Sequence, residues 1–168
     1  AEALASEIDA GVRRWGVVTH GGTGRRIYAM EVDGYGNWFF GDDANVPSLL
    51  SLPYLGYVDA SDPVYQGTRT LLLDPATNPY FYGEPRLPPS QGGLLGGIGS
   101  EDASGLPGLG HVWPLSLAVR LLTLSFDAEG DDAETEARAV LATLRESSGG
   151  SGLMHESFWF DDPSRFTR

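Results

Sequence analysis

The chain begins with helical periodicity and then changes to that of strands. The apolar stripe of the first segment recurs every three or four positions, at Leu4, Ile8, Val12 and Trp15. This spacing predicts an amphipathic helix over residues 1–18. Between residues 25 and 40 the period falls to two on either side of a glycine-rich turn, which predicts a β-hairpin. We expect the hairpin to bring Glu31, Asp33 and Asn37 close to the acidic pair that follows it.

The residues after the hairpin predict a helix with a polar start and an apolar body. Asp42 and Asp43 precede Asn45, a suitable N-cap, and Pro47 suits the first turn because that turn needs no N–H. The leucines expected in the core are Leu49, Leu50, Leu52 and Leu55. Pro53 should end or kink this helix. The acidic pair would then lie at the positive end of the helix, as a solvated pair.

Further helices and one long loop are predicted along the rest of the chain. An Asp-Pro pair opens a helix over residues 63–73, and residues 74–110 form a loop rich in glycine, proline and aromatics. Residues 114–126 are apolar on nearly every face and predict a buried helix, whereas 132–147 carries one apolar stripe and predicts an outer one. Residues 161–168 resemble the start of another helix. Paired inner and outer helices, and a mainly α fold, are therefore predicted.

Composition excludes several classes of function. The 168 residues carry a net charge of −12, the 11 basic residues are all arginine, and there is no cysteine. The chain therefore cannot use a lysine Schiff base or a cysteine thiolate in catalysis. The acidity argues against nucleic acid, and no apolar run reaches the roughly 18 residues of a membrane span. We expect no nucleic-acid or membrane partner and a soluble protein, with a cytoplasmic location preferred. A start without Met, partway into a helix, predicts a piece of a longer protein.

The remaining reactive side chains point to acid–base work by carboxylates. No serine-nucleophile elbow, phosphate-binding glycine loop or H-E-x-x-H zinc motif occurs, and we expect no cofactor. A Ca²⁺ site built of carboxylates and water stays open, although the D-x-[DN]-x-[DN]-G pattern is absent. Glu156 lies between a histidine and an aromatic run, a setting that suits a general base. Trp113 and several tyrosines offer flat faces on which a sugar ring can stack, while Asp and Asn side chains bind hydroxyl groups. An acidic, aromatic cleft predicts a carbohydrate site.

Six sequence blocks are together more specific than any single motif. In chain order they are E-V-D-G-Y-G-N from Glu31, D-D-A-N-V-P-S-L-L from Asp42, N-P-Y from Asn78, V-W-P from Val112, M-H-E-S-F from Met154 and F-T-R from Phe166. Their content and order resemble the exo-α-mannosidases of glycoside hydrolase family 125. The resemblance implies part of an (α/α)6 toroid of paired inner and outer helices, with a short β-hairpin and long Gly/Pro-rich loops. It also implies inverting, metal-independent hydrolysis of terminal α-1,6-linked mannose.

The resemblance assigns roles residue by residue. Glu156 matches the family's proposed general base, which activates water on the face opposite the leaving group. The family's general acid lies upstream of the E-V-D-G block, beyond the start of this chain. The residues implied to bind substrate or to hold the shape of the site are Asp33, Asn37, Asp42, Asp43, Asn45, Trp113 and His155. Ser100 is not followed by the family's usual Pro-His, so either His111 replaces that histidine or its contact is lost.

The resemblance further implies a partner and a place in a larger molecule. The partner would be a mannose-terminated oligosaccharide or N-glycan, together with the missing part of the chain's own domain. Residues 1–168 would be the C-terminal portion of a single catalytic domain, incomplete at both ends and inactive alone. Two alternatives stay open: a non-catalytic carbohydrate-binding fragment, and an α/α-toroid glycosidase or lyase of other specificity.

Overall fold

The computed structural model describes residues 1–83, 96–100, 110–125 and 132–167. The helices are α1 (Glu2–Gly11), α2 (Pro63–Leu72), α3 (Pro114–Leu122) and α4 (Asp132–Glu146), and a π-helical turn, Val12–Gly16, follows α1. The strands are β1 (Val17–Thr19), β2 (Arg26–Tyr28), β3 (Glu31–Val32), β4 (Trp38–Phe39), β5 (Phe81–Tyr82), β6 (Gly97–Ile98), β7 (His111–Val112), β8 (Ser157–Trp159) and β9 (Asp162–Thr167). They pair antiparallel in four small sheets, β1–β2, β3–β4, β5–β6 and β7–β8–β9.

The predicted fold class is wrong. Four helices and several small antiparallel sheets make up the described part of the chain, and no ring of paired inner and outer helices is seen there. Helices α3 and α4 do pack together, as a buried and an amphipathic helix should. Elsewhere in the described part of the chain, short extended segments pair with each other in small sheets. Glycine and proline are frequent in the sequence, and both disfavour long helices.

The first helix is confirmed but ends early, at Gly11, with strand β1 beginning at Val17. Its predicted apolar stripe is uncovered, because Leu4 and Ile8 are 61% and 58% exposed. The predicted hairpin is also confirmed. Strands β3 and β4 pair with Glu31 opposite Phe39 and Val32 opposite Trp38.

The helix predicted after the acidic pair does not form. Residues 44–56 are bends and turns, in which Leu50 is buried whereas Leu55 is exposed. Ser51 supplies local bonds in place of helical ones, since its Oγ accepts from Ser48 N at 2.8 Å and donates to Ser48 O at 2.8 Å. Short side chains that bond to nearby backbone compete with a helix in this way.

The helix predicted from the Asp-Pro pair is confirmed as α2. Asp62 is its N-cap, and its Oδ1 accepts from Val64 N at 2.9 Å and Tyr65 N at 2.8 Å. This helix crosses β2 very closely at Gly67, where an added Cβ would lie 2.7 Å from Arg26 O. The absence of a side chain at Gly67 therefore sets how closely α2 approaches the strand.

Two apolar clusters form the core. The first contains Ala44, Leu50, Leu72, Leu73, Phe81, Ile98 and Val119, and the second contains Val112, Leu117, Val140 and Phe158. Helix α3 contributes to both but is not buried all round as predicted, because Leu115 and Leu122 are exposed. Helix α4 is amphipathic as predicted, except that Leu141 of its apolar stripe is exposed.

A buried ionic group joins three helices. Glu136 of α4 lies 2.5 Å from Arg69 of α2 and 2.5 Å from Arg120 of α3. Arg120 also donates to Gly96 O at 3.1 Å. Burial disfavours the charge of Glu136, but the two guanidinium groups outweigh that effect and hold its pKa below the usual value.

Strand β6 runs through a seam with no room for side chains at its glycines. A Cβ added to Gly96 would lie 2.5 Å from Tyr82 O, and one added to Gly97 or Gly99 would overlap Val112 or His111. The seam links two sheets, because Gly99 N donates to Tyr80 O at 2.8 Å and Trp113 N donates to Ile98 O at 3.2 Å.

Two predictions remain to be compared with the structure: the helix start at residues 161–168 and the long loop at residues 74–110. The last segment is strand β9 and not the start of a helix, because Phe166 pairs with Phe158 across the sheet. Much of the predicted loop, residues 84–95 and 101–109, lies outside the described residues.

Candidate functional site

Asp43, Asn45 and Ser100 form a compact polar group, which we call the Asp43 cluster. The Oδ1 of Asp43 accepts from Asn45 N at 2.9 Å, and its Oδ2 accepts from Asn45 Nδ2 at 2.8 Å and from Ser100 Oγ at 3.3 Å. Ala44 N donates to Gly99 O at 2.9 Å, which brings Ser100 to the pair. Two of the residues that the resemblance implies for the site, Asp43 and Asn45, therefore contact each other, and Ser100 joins them.

Asp42 faces the other way, into the protein. Asp42 is only 2% exposed, and its Oδ2 accepts from Leu50 N at 2.8 Å. Burial raises the pKa of Asp42 to about 7, a shift that the N–H groups of Leu50 and Leu49 partly offset and the charge of Asp43 reinforces. The carboxyl group is thus engaged with the backbone of the turn that follows it.

Asn78, which we did not single out for a role, holds the same segment from the opposite side. Its Oδ1 accepts from Asp42 N at 3.2 Å, and its Nδ2 donates to Asp42 O and to Leu72 O, both at 3.1 Å. The side chain is fully buried. The only sequence signal was the N-P-Y block directly after α2, which indicates a turn but not its partner 36 residues away.

Asp33 and Asn37 organise the tip of the β3–β4 hairpin. Asp33 Oδ1 accepts from Tyr35 N at 2.8 Å and Asn37 N at 3.1 Å, while Oδ2 accepts from Asn37 Nδ2 at 2.5 Å. These bonds, that from the Asn37 side chain foremost, lower the pKa of Asp33. Tyr35 is held at the tip with 93% of its surface exposed. A shallow depression of about 310 Å³ lies on this hairpin, lined by Glu31, Val32, Asp33, Asn37, Trp38 and Phe39.

Glu156 and His155 precede strand β8. Glu156 is exposed, and its backbone N–H donates to Thr167 O at 3.2 Å. His155 stacks on Phe166 with ring centroids 3.5 Å apart and planes at 9°. Its Nε2 lies 3.2 Å from Ser148 O and 3.0 Å from Ser151 Oγ, so it also fastens the turn before it. Glu156 thus extends into solvent from a fixed backbone.

The residue after Glu156 is buried in a polar chain that sequence reasoning did not connect. Ser157 Oγ lies 3.3 Å from His111 Nδ1 and 2.8 Å from Thr167 Oγ1. Burial, and then the charge of Arg165, lower the pKa of His111. Arg165 itself lies 4.4 Å over the ring of Trp159, whose centroid is 3.9 Å from that of His111. Side chains of the two neighbouring strands, β7 and β9, therefore hold the start of β8 from either side.

Trp113 lies at the same end of this sheet as Glu156. In the β7–β8 pair Val112 is opposite Phe158, so Trp113 follows the end of β7 on the side where β8 begins at Ser157. Trp113 packs against the first apolar cluster, and its Nε1 is buried with no hydrogen-bond partner among the described residues. Of the predicted site residues, the structure joins Asp43 to Asn45, and it joins Asp33 to Asn37 on their own hairpin.

The described residues contain no group of three or more His, Cys, Asp or Glu side chains arranged to hold a metal ion. No helix among them has the length and apolar character needed to cross a membrane. The candidate residues described above are carboxylates, amides and aromatic rings, which suit proton transfer and binding of hydroxyl groups.

Comparison with known proteins finds matches to a family model, to a sequence relative and to solved structures. The family model described as metal-independent alpha-mannosidase (GH125) matches residues 1–168. The meiotically up-regulated gene 157 protein of Schizosaccharomyces pombe is 43% identical over 164 residues, which are 98% of this chain and 28% of that protein. A Streptococcus pneumoniae structure from the metal-independent α-mannosidases, a non-productive complex with α-1,6-mannobiose, matches with a TM-score of 0.79 and 38% identity, over 99% of this chain and 34% of its own. The chain thus spans about a third or less of these relatives' lengths.

Proposed function

The chain belongs to glycoside hydrolase family 125, the metal-independent α-mannosidases, and on that premise we propose that the complete protein removes terminal α-1,6-linked mannose from a glycan. The observation that carries the proposal is the likeness, at 38% identity, to a mannosidase structure holding α-1,6-mannobiose. The substrate class is a mannose-terminated oligosaccharide or N-glycan. The reaction is hydrolysis with inversion at the anomeric carbon.

In this proposal Glu156 is the general base. Its side chain is exposed and its backbone is held by Thr167, so a carboxylate can face a water molecule without competing protein bonds from its own strand. The carboxylate takes a proton from water as the water attacks the anomeric carbon from the face opposite the leaving oxygen. A carboxylic acid outside these 168 residues gives its proton to that oxygen. Inverting pairs of this kind stand roughly 6.5–9.5 Å apart, which leaves room for the water.

The other residues bind or shape the sugar site. We assign hydroxyl recognition to the Asp43 cluster, whose carboxylate and amide groups suit paired hydrogen bonds. Trp113, at the same edge as Glu156, supplies an aromatic face. His155 holds the approach to Glu156 through its stack on Phe166. Asp33 and Asn37 keep the hairpin tip in its observed shape.

The test uses the complete protein and α-1,6-mannobiose, with the anomer of released mannose followed by NMR. We expect β-mannose first, and a loss of about 100-fold or more in kcat for Glu156→Gln, because general base catalysis contributes on that scale. Glu134→Gln is the matched control, since Glu134 is exposed and pairs only with Arg138 on the surface of α4. A chelator should leave the rate unchanged.

Each other outcome identifies a different function. Sugar binding without hydrolysis, unaffected by Glu156→Gln, would indicate a non-catalytic carbohydrate-binding protein. Release of α-mannose would contradict inversion, and hydrolysis only of other aryl glycosides would indicate a different specificity. A Glu156→Gln variant as active as Glu134→Gln would show that the base lies elsewhere.

A further inference from the structure

The two adjacent aspartates, Asp42 and Asp43, have opposite surroundings. Asp43 lies in a partly buried cluster with neutral hydrogen-bond donors, whereas Asp42 is almost fully buried beneath the turn around Leu50. A sugar can meet only side chains that it can reach, and further chain packed around this segment can only add to the burial of Asp42. The carboxyl group of Asp42 is therefore unsuited to direct sugar binding.

Asp42 joins three segments of the chain. Its carboxylate accepts from Leu50 N in the turn after it, and its backbone N–H and C=O both bond to the side chain of Asn78. Two residues later, Ala44 N bonds to Gly99 O at the seam. Asp43 is thus clamped at the residue before it and at the residue after it.

We propose that Asp42 is a positioning residue that holds the Asp43 cluster in its sugar-binding arrangement without touching the sugar. This inference deepens the proposed function and rests on it. The carboxylate fixes the distance between the backbone at residue 42 and the turn at Leu50. That constraint leaves Asp43 aimed at Asn45 and Ser100.

The charge of Asp42 gives the arrangement a dependence on pH. Burial raises the pKa of Asp42 to about 7, and Asp43 is the charged neighbour that reinforces this. The other groups that act on its carboxylate are the N–H of Leu49 and the hydroxyl of Ser48, while the neutral amide of Asn78 bonds to its backbone. A hydrogen bond to a carboxylate is roughly twice as strong as one to a neutral group. The bond from Leu50 N should therefore strengthen as pH rises through about 7.

The kinetic test compares three variants of the complete protein on α-1,6-mannobiose between pH 5.5 and 8.5. In wild type we expect KM to change as pH passes through about 7. Asp42→Asn keeps an acceptor for Leu50 N but cannot titrate, so we expect kcat within about threefold of wild type and no such change in KM. Asp42→Ala removes the acceptor, and we expect KM to rise about tenfold or more. Asp59→Asn, an exposed aspartate outside the site, is the control and should behave as wild type.

Three results would overturn the proposal. If Asp42→Asn raised KM as much as Asp42→Ala, the charge of the carboxylate would be contacting sugar. If Asp42→Ala behaved as wild type, the residue would position nothing. If Asp42→Asn kept the KM inflection, another group would be titrating.

A second measurement does not depend on hydrolysis. In 15N-labelled complete protein, the Leu50 amide and the Asn45 side-chain amide should shift together with a midpoint near pH 7, and neither should do so in Asp42→Asn. A Leu50 shift without an Asn45 shift would contradict the positioning role. Joint shifts in a protein that releases no mannose would instead contradict the proposed function and leave the positioning role standing.

Discussion

At the scale of single residues, the acidic pair shows how one position along the chain changes the chemistry of a carboxyl group. The sequence shows two neighbouring aspartates before a proline-containing turn, and it predicts a shared, solvated role for them. In the structure the carboxylate of Asp43 accepts from Ser100 in a partly buried cluster, whereas that of Asp42 accepts from Leu50 N in the interior. Neighbouring side chains of an extended segment point to opposite faces, which is the physical reason for the difference.

The raised pKa of Asp42 predicts a loss of stability with rising pH. The folded pKa of about 7 exceeds the usual value of 3.8, so the folded state binds more protons between them. The favourable contribution is complete below about pH 4 and is lost as pH rises through 7, by about 4 kcal/mol at most. Denaturant unfolding of the complete protein at pH 5 and 8 should show this loss, and Asp42→Asn should reduce it. An equal pH dependence in that variant would contradict the prediction.

The sequence predicted local parts of the candidate site but not distant ones. Asp43 and Asn45 are two residues apart, and their side-chain bond follows from a common turn type. Ser100 bonds to the same group from 57 residues away, and Asn78 reaches Asp42 from 36. No local pattern carries such pairings, because they depend on how separate elements pack. The role of Glu156 came from the family resemblance and stays a prediction.

At the scale of elements, capping signals gave correct and incorrect helices for identifiable reasons. The Asp62 cap of α2 is seen as predicted because its carboxylate accepts from the free N–H groups of Val64 and Tyr65 in the first turn. After Asp43 the same kind of signal fails, since Ser51 bonds back to Ser48 and Asp42 accepts from Leu50. In the last segment, pairing of Phe166 with Phe158 favours a strand over the predicted helix.

The crossing of α2 and β2 gives a prediction about Gly67. A Cβ at this residue would lie 2.7 Å from Arg26 O, so Gly67→Ala should force the helix and strand apart. We expect a loss of about 1–3 kcal/mol in the free energy of unfolding, measured with denaturant. Gly11→Ala is the control, since nothing lies within 4 Å of its added Cβ, and it should be neutral or stabilising by up to about 1 kcal/mol. Equal effects of the two variants would show that the crossing can relax.

At the scale of the whole molecule, the ion group of Glu136, Arg69 and Arg120 ties three helices together. Glu136→Gln leaves two largely buried guanidinium groups without their counter-charge, with side chains 12% and 8% exposed. Loss of one partner from a buried pair costs about 3–5 kcal/mol, which thermal or denaturant unfolding would detect. Glu134→Gln, two residues away in an exposed pair, should change stability by about 1 kcal/mol or less. If both variants were equally stable, the buried group would contribute little.

Family membership could be predicted at this scale, whereas architecture could not. Six short blocks in order were sufficient to identify the family, because each block can be recognised from a local stretch of sequence alone. The expected toroid was wrong for the described residues, because their small sheets arise from pairings between distant segments, such as His111 with Trp159. The uncovered stripe at Leu4 and Ile8 likewise depends on what packs there, which periodicity does not state.

The glycine seam at Gly96, Gly97 and Gly99 has a genetic consequence. A single-nucleotide change at the first or second position of a glycine codon always specifies a residue with a Cβ atom or a stop, whereas a change at the third position leaves glycine in place. At these three positions such a residue would collide with Tyr82, Val112 or His111. Replacement of any of these residues therefore has no harmless first step, and the three glycines should stay fixed in lineages whose neighbouring positions diverge.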